Sequence, residues 1–235
     1  MLTLLTILLI YVVTIIAHEL FHAWVAICFN MKIEKIYIGW PLPPNIAVIK
    51  RKNYEIVITP WILLGGGVLI EEDSYWKSAF WQKLLMLLYG PMANIILAML
   101  IALMVLGESN GLLVSRETFQ AFTEAIKLFL LGSVEASDVS GPVEIAAISQ
   151  QIMNNDWLTG VLFITLILNI GVAVINLLPL PGLDGGQIVL AGICAMKKNS
   201  TNSIKLAKHL NIAFFYLYVL FIFYFVINEI AGLII

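Results

Sequence analysis

Residues 2–29 read LTLLTILLIYVVTIIAHELFHAWVAICF, an apolar run that contains two histidines and one glutamate. About 20 apolar residues in a helix are enough to cross the hydrocarbon core of a bilayer, which is about 30 Å thick. The run is long enough to do so, and it therefore predicts a transmembrane helix. Its ionisable cluster of His18, Glu19 and His22 would then lie at membrane depth.

These three residues form the motif H-E-x-x-H. Because residues four apart lie on one face of a helix, His18 and His22 can together hold one zinc ion. Glu19 would lie beside them as the general base that takes a proton from the attacking water. A charged Asp costs about 2.5–3.5 kcal/mol at the centre of a membrane helix on insertion scales, and a bound metal would compensate for such groups. The alternative is a packed core histidine, which is the usual explanation for a single histidine on an apolar face.

The composition of the whole chain indicates a multi-pass integral membrane protein. Hydrophobic residues make up 61% and charged residues 12% of the 235 residues, whereas soluble domains carry roughly 25% charged residues. The lipid bilayer is therefore an expected partner. The formal net charge of −2 provides no basic footprint, so we expect no nucleic acid partner.

We predict an α-helical fold with about four transmembrane helices, at about 3–29, 84–106, 160–178 and 210–234. Lysine and arginine are concentrated after the first and third spans and are scarce between the second and third. By the positive-inside rule, both termini face outward, 107–159 is an extracytoplasmic loop, and the active site opens toward the cytoplasm. We expect residues 1–235 to form a single domain in the plasma membrane of a prokaryotic cell.

A second motif supplies a candidate third ligand. A catalytic zinc commonly has three protein ligands and one open position, so two histidines are not enough. Residues 176–186 read NLLPLPGLDGG, in which prolines and glycines interrupt the third span around Asp184. Irregular backbone at membrane depth is tolerated where it lines a buried or watery cavity. In a soluble protein the same residues would form an ordinary turn, but next to an apolar span we predict that Asp184 is a ligand.

The region of about 31–67 predicts a small membrane-associated β-hairpin sheet. Residues 33–38, 46–50 and 54–59 are rich in β-branched and aromatic side chains, and Arg51-Lys52-Asn53 reads as a tight turn. A surface hairpin that only links two helices is an equally good explanation. The glycines at 65–67 are consistent with a flexible turn.

Taken together, the motifs resemble the site-2 protease family of intramembrane zinc metalloproteases. His18 to His22 corresponds to that family's H-E-x-x-H, and residues 176–186 correspond to its N-x-x-P…L-D-G motif. Residues 90–94, GPMAN, resemble its G-P-x-x-N element, and residues 140–143, SGPV, resemble the segment before its third core helix.

The resemblance implies one Zn²⁺ per chain, with Asp184 as the third ligand. It implies an endopeptidase that cleaves transmembrane segments of single-pass membrane proteins in regulated intramembrane proteolysis, with the edge strand of the sheet clamping the substrate. A regulatory membrane protein is a further candidate partner. Asn94 and Asn176 are candidates for hydrogen bonding to the substrate backbone, with capping or joining of helices as the equal alternative.

Two domains that accompany this core in relatives are expected to be absent. The segment 107–159 is too short for a PDZ domain, and we expect it to be helical over Phe119 to Leu131. No segment after the last span would hold a CBS domain. We therefore expect a minimal form of the family.

Two other functions remain open at this point. A polytopic metal transporter could also place histidines and carboxylates in its spans, although the chain shows no internal repeat. A catalytically idle membrane scaffold is the second alternative. Such a protein would commonly have lost the base or a ligand, yet Glu19 and all three candidate ligands are present.

Overall fold

The computed structural model describes residues 2–130 and 142–234, and it shows a helical protein with one small sheet. The described helices are α1 Leu2–Cys28, α2 Glu72–Lys77, α3 Phe80–Leu130, α4 Pro142–Asn155, α5 Trp157–Leu177, α6 Asp184–Met196 and α7 Thr201–Ile234. The fold class predicted from the sequence is confirmed. Residues 140 and 141 of the S-G-P-V segment lie outside the described residues.

Among the described residues, three helical segments are long and apolar enough to cross a membrane: Thr3–Cys28, Phe80–Gly107 and Trp157–Leu177. They coincide with the first three predicted spans. The fourth, 210–234, lies within α7, and its role as a span stays a prediction. The second span ends at Gly107, where a φ of 74° and a ψ of 179° break the helical path of α3.

The segment 107–159, predicted as a loop, is helical in most of its described part. The second half of α3 continues to Leu130, and α4 occupies Pro142–Asn155. Residues 108–130 contain no proline and one glycine, Gly111. Because few helix-breaking residues are present, the chain can remain helical. The helix predicted from Phe119 is confirmed as far as Leu130, and Leu131 lies outside the described residues.

The three spans α1, α3 and α5 pack against one another. Small side chains such as Ala98, Ala102 and Ala173 are fully buried where these helices meet. Small residues let helix backbones approach closely in a membrane, where packing rather than water exclusion drives association. The packed helices hold the middle of α1 in a protein environment.

The sheet has four strands, β1 Ile33–Ile38, β2 Ala47–Lys50, β3 Glu55–Ile58 and β4 Gly66–Ile70, in the order β2-β3-β1-β4. The predicted hairpin is β2 and β3, which pair antiparallel. β1 lies parallel to β3 and antiparallel to β4. The sheet is therefore more than a hairpin, and the glycines at 66 and 67, predicted as part of a turn, begin its fourth strand.

Candidate metal centre

Two histidines of α1 and the first residue of α6 converge on one point. Nε2 of His18 lies 3.0 Å from Nε2 of His22 and 3.1 Å from Oδ2 of Asp184. Nε2 of His22 lies 3.2 Å from the same carboxylate oxygen. The three atoms form a nearly equilateral triangle. These are the three ligands predicted from the sequence, and within the described chain they are the group suited to holding a metal ion.

The triangle fits zinc. Zinc takes imidazole nitrogen and carboxylate oxygen at about 2.0–2.2 Å in a tetrahedral arrangement, which puts neighbouring ligand atoms about 3.3 Å apart. The measured separations of 3.0–3.2 Å are close to that value. Three protein ligands leave a fourth position open, which is the pattern of catalytic rather than structural zinc.

Both imidazole rings are oriented from behind. Nδ1 of His22 donates a hydrogen bond to the carbonyl oxygen of Met86 at 2.7 Å. This fixes the ring proton on Nδ1 and leaves Nε2 with a free lone pair for a metal. A backbone carbonyl of α3 thus determines which nitrogen of His22 can act as a ligand.

Asn94 performs the corresponding role for His18. Its side-chain amide lies 3.1 Å from Nδ1 of His18, and Asn94 is fully buried. If Nε2 of His18 binds metal, Nδ1 carries the proton and needs an acceptor. A 180° rotation of the amide brings Oδ1, which otherwise has no hydrogen-bond partner in the described part of the protein, to that position. The orphaned oxygen is therefore explained by a metal-bound His18.

Gly90 leaves the space that the two rings occupy. A Cβ atom at this position would lie 2.2 Å from Nε2 of His22 and 2.8 Å from Nε2 of His18. Any side chain would therefore collide with both ligand atoms. The cradle for the rings depends on this glycine of α3, which follows directly in the turn after Met86.

Asp184 is held at the start of α6 by a polar clasp. The backbone N–H of Gly182 donates to Oδ1 of Asn211 at 3.1 Å, and Nδ2 of Asn211 donates to Oε1 of Gln187 at 3.2 Å. Asn211 of α7 thereby joins the turn before Asp184 to the first turn of α6. The Asp184 side chain is 15% exposed, the most open of the three ligands.

Glu19 lies beside this triangle with a relative exposure of 6%. Strand β4 passes close to it, since a Cβ at Gly66 would come within 2.7 Å of Cγ of Glu19. The sheet therefore contacts the predicted general base directly.

The profile of the family described as Peptidase family M50 matches residues 6–221. The chain belongs to peptidase family M50. This match covers most of the chain and includes every residue of the triangle. It confirms the resemblance to site-2 proteases and the classification as a membrane zinc metalloprotease.

Named relatives agree with this classification over shorter segments. A protein of Nostoc sp. named as a zinc metalloprotease is 44% identical over 72 residues, which are 30% of this chain and 18% of that protein. A Campylobacter jejuni protein, also named as a zinc metalloprotease, is 38% identical over 78 residues, 32% of this chain and 21% of that protein. A chloroplastic membrane metalloprotease of Arabidopsis thaliana is 47% identical over 58 residues, 25% of this chain and 13% of that protein. The matched segments thus span about a fifth or less of these relatives.

The two asparagines predicted to bind substrate have different surroundings. Asn94 is buried behind His18, as described above. Asn176 is partly buried near the end of α5, and its Nδ2 donates to the carbonyl oxygen of Val172 at 3.0 Å. This bond leaves Oδ1 of Asn176 as the part of the side chain that could meet a substrate.

Proposed function

We propose that this protein is a zinc-dependent endopeptidase that cuts peptide bonds within the transmembrane segments of single-pass membrane proteins. The observation that carries the proposal is the position of the His18, His22 and Asp184 triangle. Two of its ligands and Glu19 belong to a helix that is long and apolar enough to span a membrane. Membership in peptidase family M50 supports the same chemistry.

The residues of the site have separate roles in hydrolysis. His18, His22 and Asp184 would hold one zinc ion, which supplies Lewis-acid polarisation of the scissile carbonyl and lowers the pKa of a water. Glu19 accepts a proton from the attacking water and later gives it to the departing amine, acting first as base and then as acid. The low exposure of Glu19 keeps bulk water from competing for this proton.

Strand β4 is the element that would hold the substrate. A helical segment has its carbonyls hydrogen-bonded internally, so it must become extended at the point of cleavage. β4 is an edge of the described sheet, with β1 on one side. A substrate can add to such an edge by main-chain pairing, and the closeness of Gly66 to Glu19 would bring the paired segment to the general base.

The finer features of the function follow from the same proposal. The protein would act in regulated intramembrane proteolysis, with a regulatory membrane protein as a second partner. Both termini would lie outside a prokaryotic plasma membrane, and the active site would open toward the cytoplasm. Asn176 would bond to the substrate backbone through its free oxygen.

A cleavage assay in lipid vesicles tests the proposal against the transporter and scaffold alternatives. Purified protein is mixed with a panel of single-span peptides, and the products are identified by mass spectrometry. We expect cuts within the apolar segment by the wild type and none by Glu19→Gln, while Glu34→Gln, which changes an exposed glutamate of β1, serves as the matched control. Cleavage that survives Glu19→Gln would contradict the proposed role of Glu19. Zinc transport by a protein that cuts no peptide would favour the transporter.

A further inference from the structure

A cleft of about 160 Å³ lies between α1, α3 and α5. Its outer rim includes Leu9 and Val13, which are 63% and 47% exposed. Thr14 and Asn169 also line it, and both are completely buried. The cleft therefore has an apolar rim that faces outward and polar groups at its floor, in the middle of the membrane-spanning helices.

The two floor residues each carry an unpartnered polar atom. Oγ1 of Thr14 and Oδ1 of Asn169 have no hydrogen-bond partner among the described residues. The rest of the Asn169 amide is engaged, because Nδ2 donates to the carbonyl oxygen of Thr165 at 2.9 Å. Leaving polar atoms unpaired in an apolar interior is costly, and polar residues within membrane spans commonly mark a path or a binding site.

The chemistry of the two atoms restricts what would satisfy them. The Thr14 hydroxyl can donate a hydrogen bond, whereas the Asn169 oxygen can only accept one. A single group that complements both needs an acceptor and a donor side by side, which is the arrangement of a carboxamide. The backbone amides of a helical membrane segment are already bonded internally. The carboxamide of an Asn or Gln side chain is free to bond.

We propose that this cleft is a subsite for the side-chain carboxamide of an Asn or Gln in the transmembrane segment of the substrate. The Thr14 hydroxyl donates to the carboxamide oxygen, and the carboxamide NH₂ donates to Oδ1 of Asn169. The inference rests on the proposed function and specifies which membrane segments the protein selects.

The position of the cleft along α1 sets the place of that residue in the substrate. Thr14 precedes His18 by one helical turn and lies on the same face of α1, about 6 Å away along the helix axis. An extended chain advances about 3.3 Å per residue. We therefore expect the recognised carboxamide about two residues from the cleaved bond.

The test uses binding as well as cleavage. A Leu/Ala-based single-span peptide carries one Asn, moved through successive positions, and the matched peptide carries Leu there. Affinities are measured in vesicles in the Glu19→Gln background, which keeps the metal ligands intact. We expect the best Asn peptide to bind about tenfold more tightly than the Leu peptide, since a hydrogen bond between membrane segments contributes about threefold.

Variants of the floor locate the effect. Thr14→Val and Asn169→Leu should each reduce the preference for Asn to about threefold or less, and together they should abolish it. Thr165→Val is the matched control, because Thr165 lines the same cleft but its hydroxyl already donates to the carbonyl oxygen of Val161 at 2.8 Å. Zinc content is measured for each variant to show that the metal centre has formed.

The outcomes separate this inference from the proposed function. Equal affinities for Asn and Leu peptides, or a preference that survives both floor substitutions, would overturn the subsite and indicate that the cleft holds water only. A carboxamide preference in binding without cleavage by the wild type would instead overturn the proposed proteolysis and leave the subsite standing.

Discussion

The backbone of Gly90 on α3 lies directly against the imidazole of His22 on α1, so that a Cβ atom at Gly90 would be 2.2 Å from Nε2 of His22. The contact explains how a helix that donates no side chain to the metal centre nevertheless shapes it. In the following turn, Asn94 of the same helix contacts His18. The GPMAN segment is thus the wall against which both histidines are placed.

Gly90→Ala should therefore remove zinc binding. The added methyl group overlaps the ligand nitrogens, and both are backed by groups of α3 that prevent retreat. We expect zinc affinity to fall by roughly 100-fold, at the upper end of effects seen for residues behind metal ligands. Gly171→Ala on α5 is the control, because a Cβ there meets nothing within 4 Å. Normal zinc affinity in Gly90→Ala, measured by competition with a chelator, would refute the close packing.

Neighbouring glycines of β4 offer a test of the base alone. A Cβ at Gly66 would press on Glu19, whereas a Cβ at Gly67 meets nothing within 4 Å. Gly66→Ala should reduce peptide cleavage by roughly tenfold or more by displacing the general base, within the range of general-base contributions. Zinc content should not change, and Gly67→Ala should retain both properties. Equal cleavage rates for the two variants would argue against contact between β4 and Glu19.

Asn94→Ala should weaken zinc binding by roughly 10- to 100-fold, the usual effect of losing the partner that orients a metal-binding histidine. Asn94→Asp keeps an oxygen that can accept from Nδ1 of His18 and should restore much of the affinity. A purely structural role would predict the reverse order, because Ala is better tolerated than a buried charge. Zinc titration of the three proteins distinguishes the two cases.

Asp156 should make the stability of α5 depend on pH. It is the N-cap of this helix, and its carboxylate accepts from the Thr159 hydroxyl and from the backbone N–H of Leu158. The Thr159 bond in particular holds the pKa of Asp156 below its ordinary value. A pKa that is lower in the folded protein stabilises it above the unfolded pKa, and this contribution is lost as the pH falls through the folded pKa.

Two substitutions separate the cap from its charge. Asp156→Ala should lower the thermal midpoint at pH 7 and remove the acid-dependent loss of stability. Asp156→Asn should retain the cap but lose the same pH dependence. Melting curves in detergent between pH 3 and 7, about the ordinary Asp pKa of 3.9, provide the measurement. An unchanged pH dependence in both variants would exclude Asp156 as its source.

The ligands could be predicted from the sequence because their chemistry is written in local patterns. His18 and His22 are four residues apart on an apolar helix, and Asp184 was predicted because a catalytic zinc needs a third ligand near a broken span. Their convergence also requires that α6 begin beside α1, which no local pattern specifies. That relationship comes from the packing of the helices.

Other parts of the site had no distinctive signal. Met86 acts through its backbone carbonyl, which every residue possesses, so its role could not be predicted from residue type. Gly66 belongs to a run of three glycines, and glycine is depleted in strands, so β4 resembled a turn. Its pairing with β1 supplies the missing preference. Gly90 could be identified as part of a motif, but the steric reason for it required the positions of both histidines.

The most direct test of the central claim is the zinc stoichiometry of the purified protein and of Asp184→Ala, determined by mass spectrometry of the metal in parallel with Glu19→Gln. We predict about one zinc ion per chain in the wild type and in Glu19→Gln, and a large loss in Asp184→Ala, since three ligands from two helices hold the ion. Folded wild-type protein without zinc, or full zinc content in Asp184→Ala, would contradict the assignment of His18, His22 and Asp184 as the metal centre.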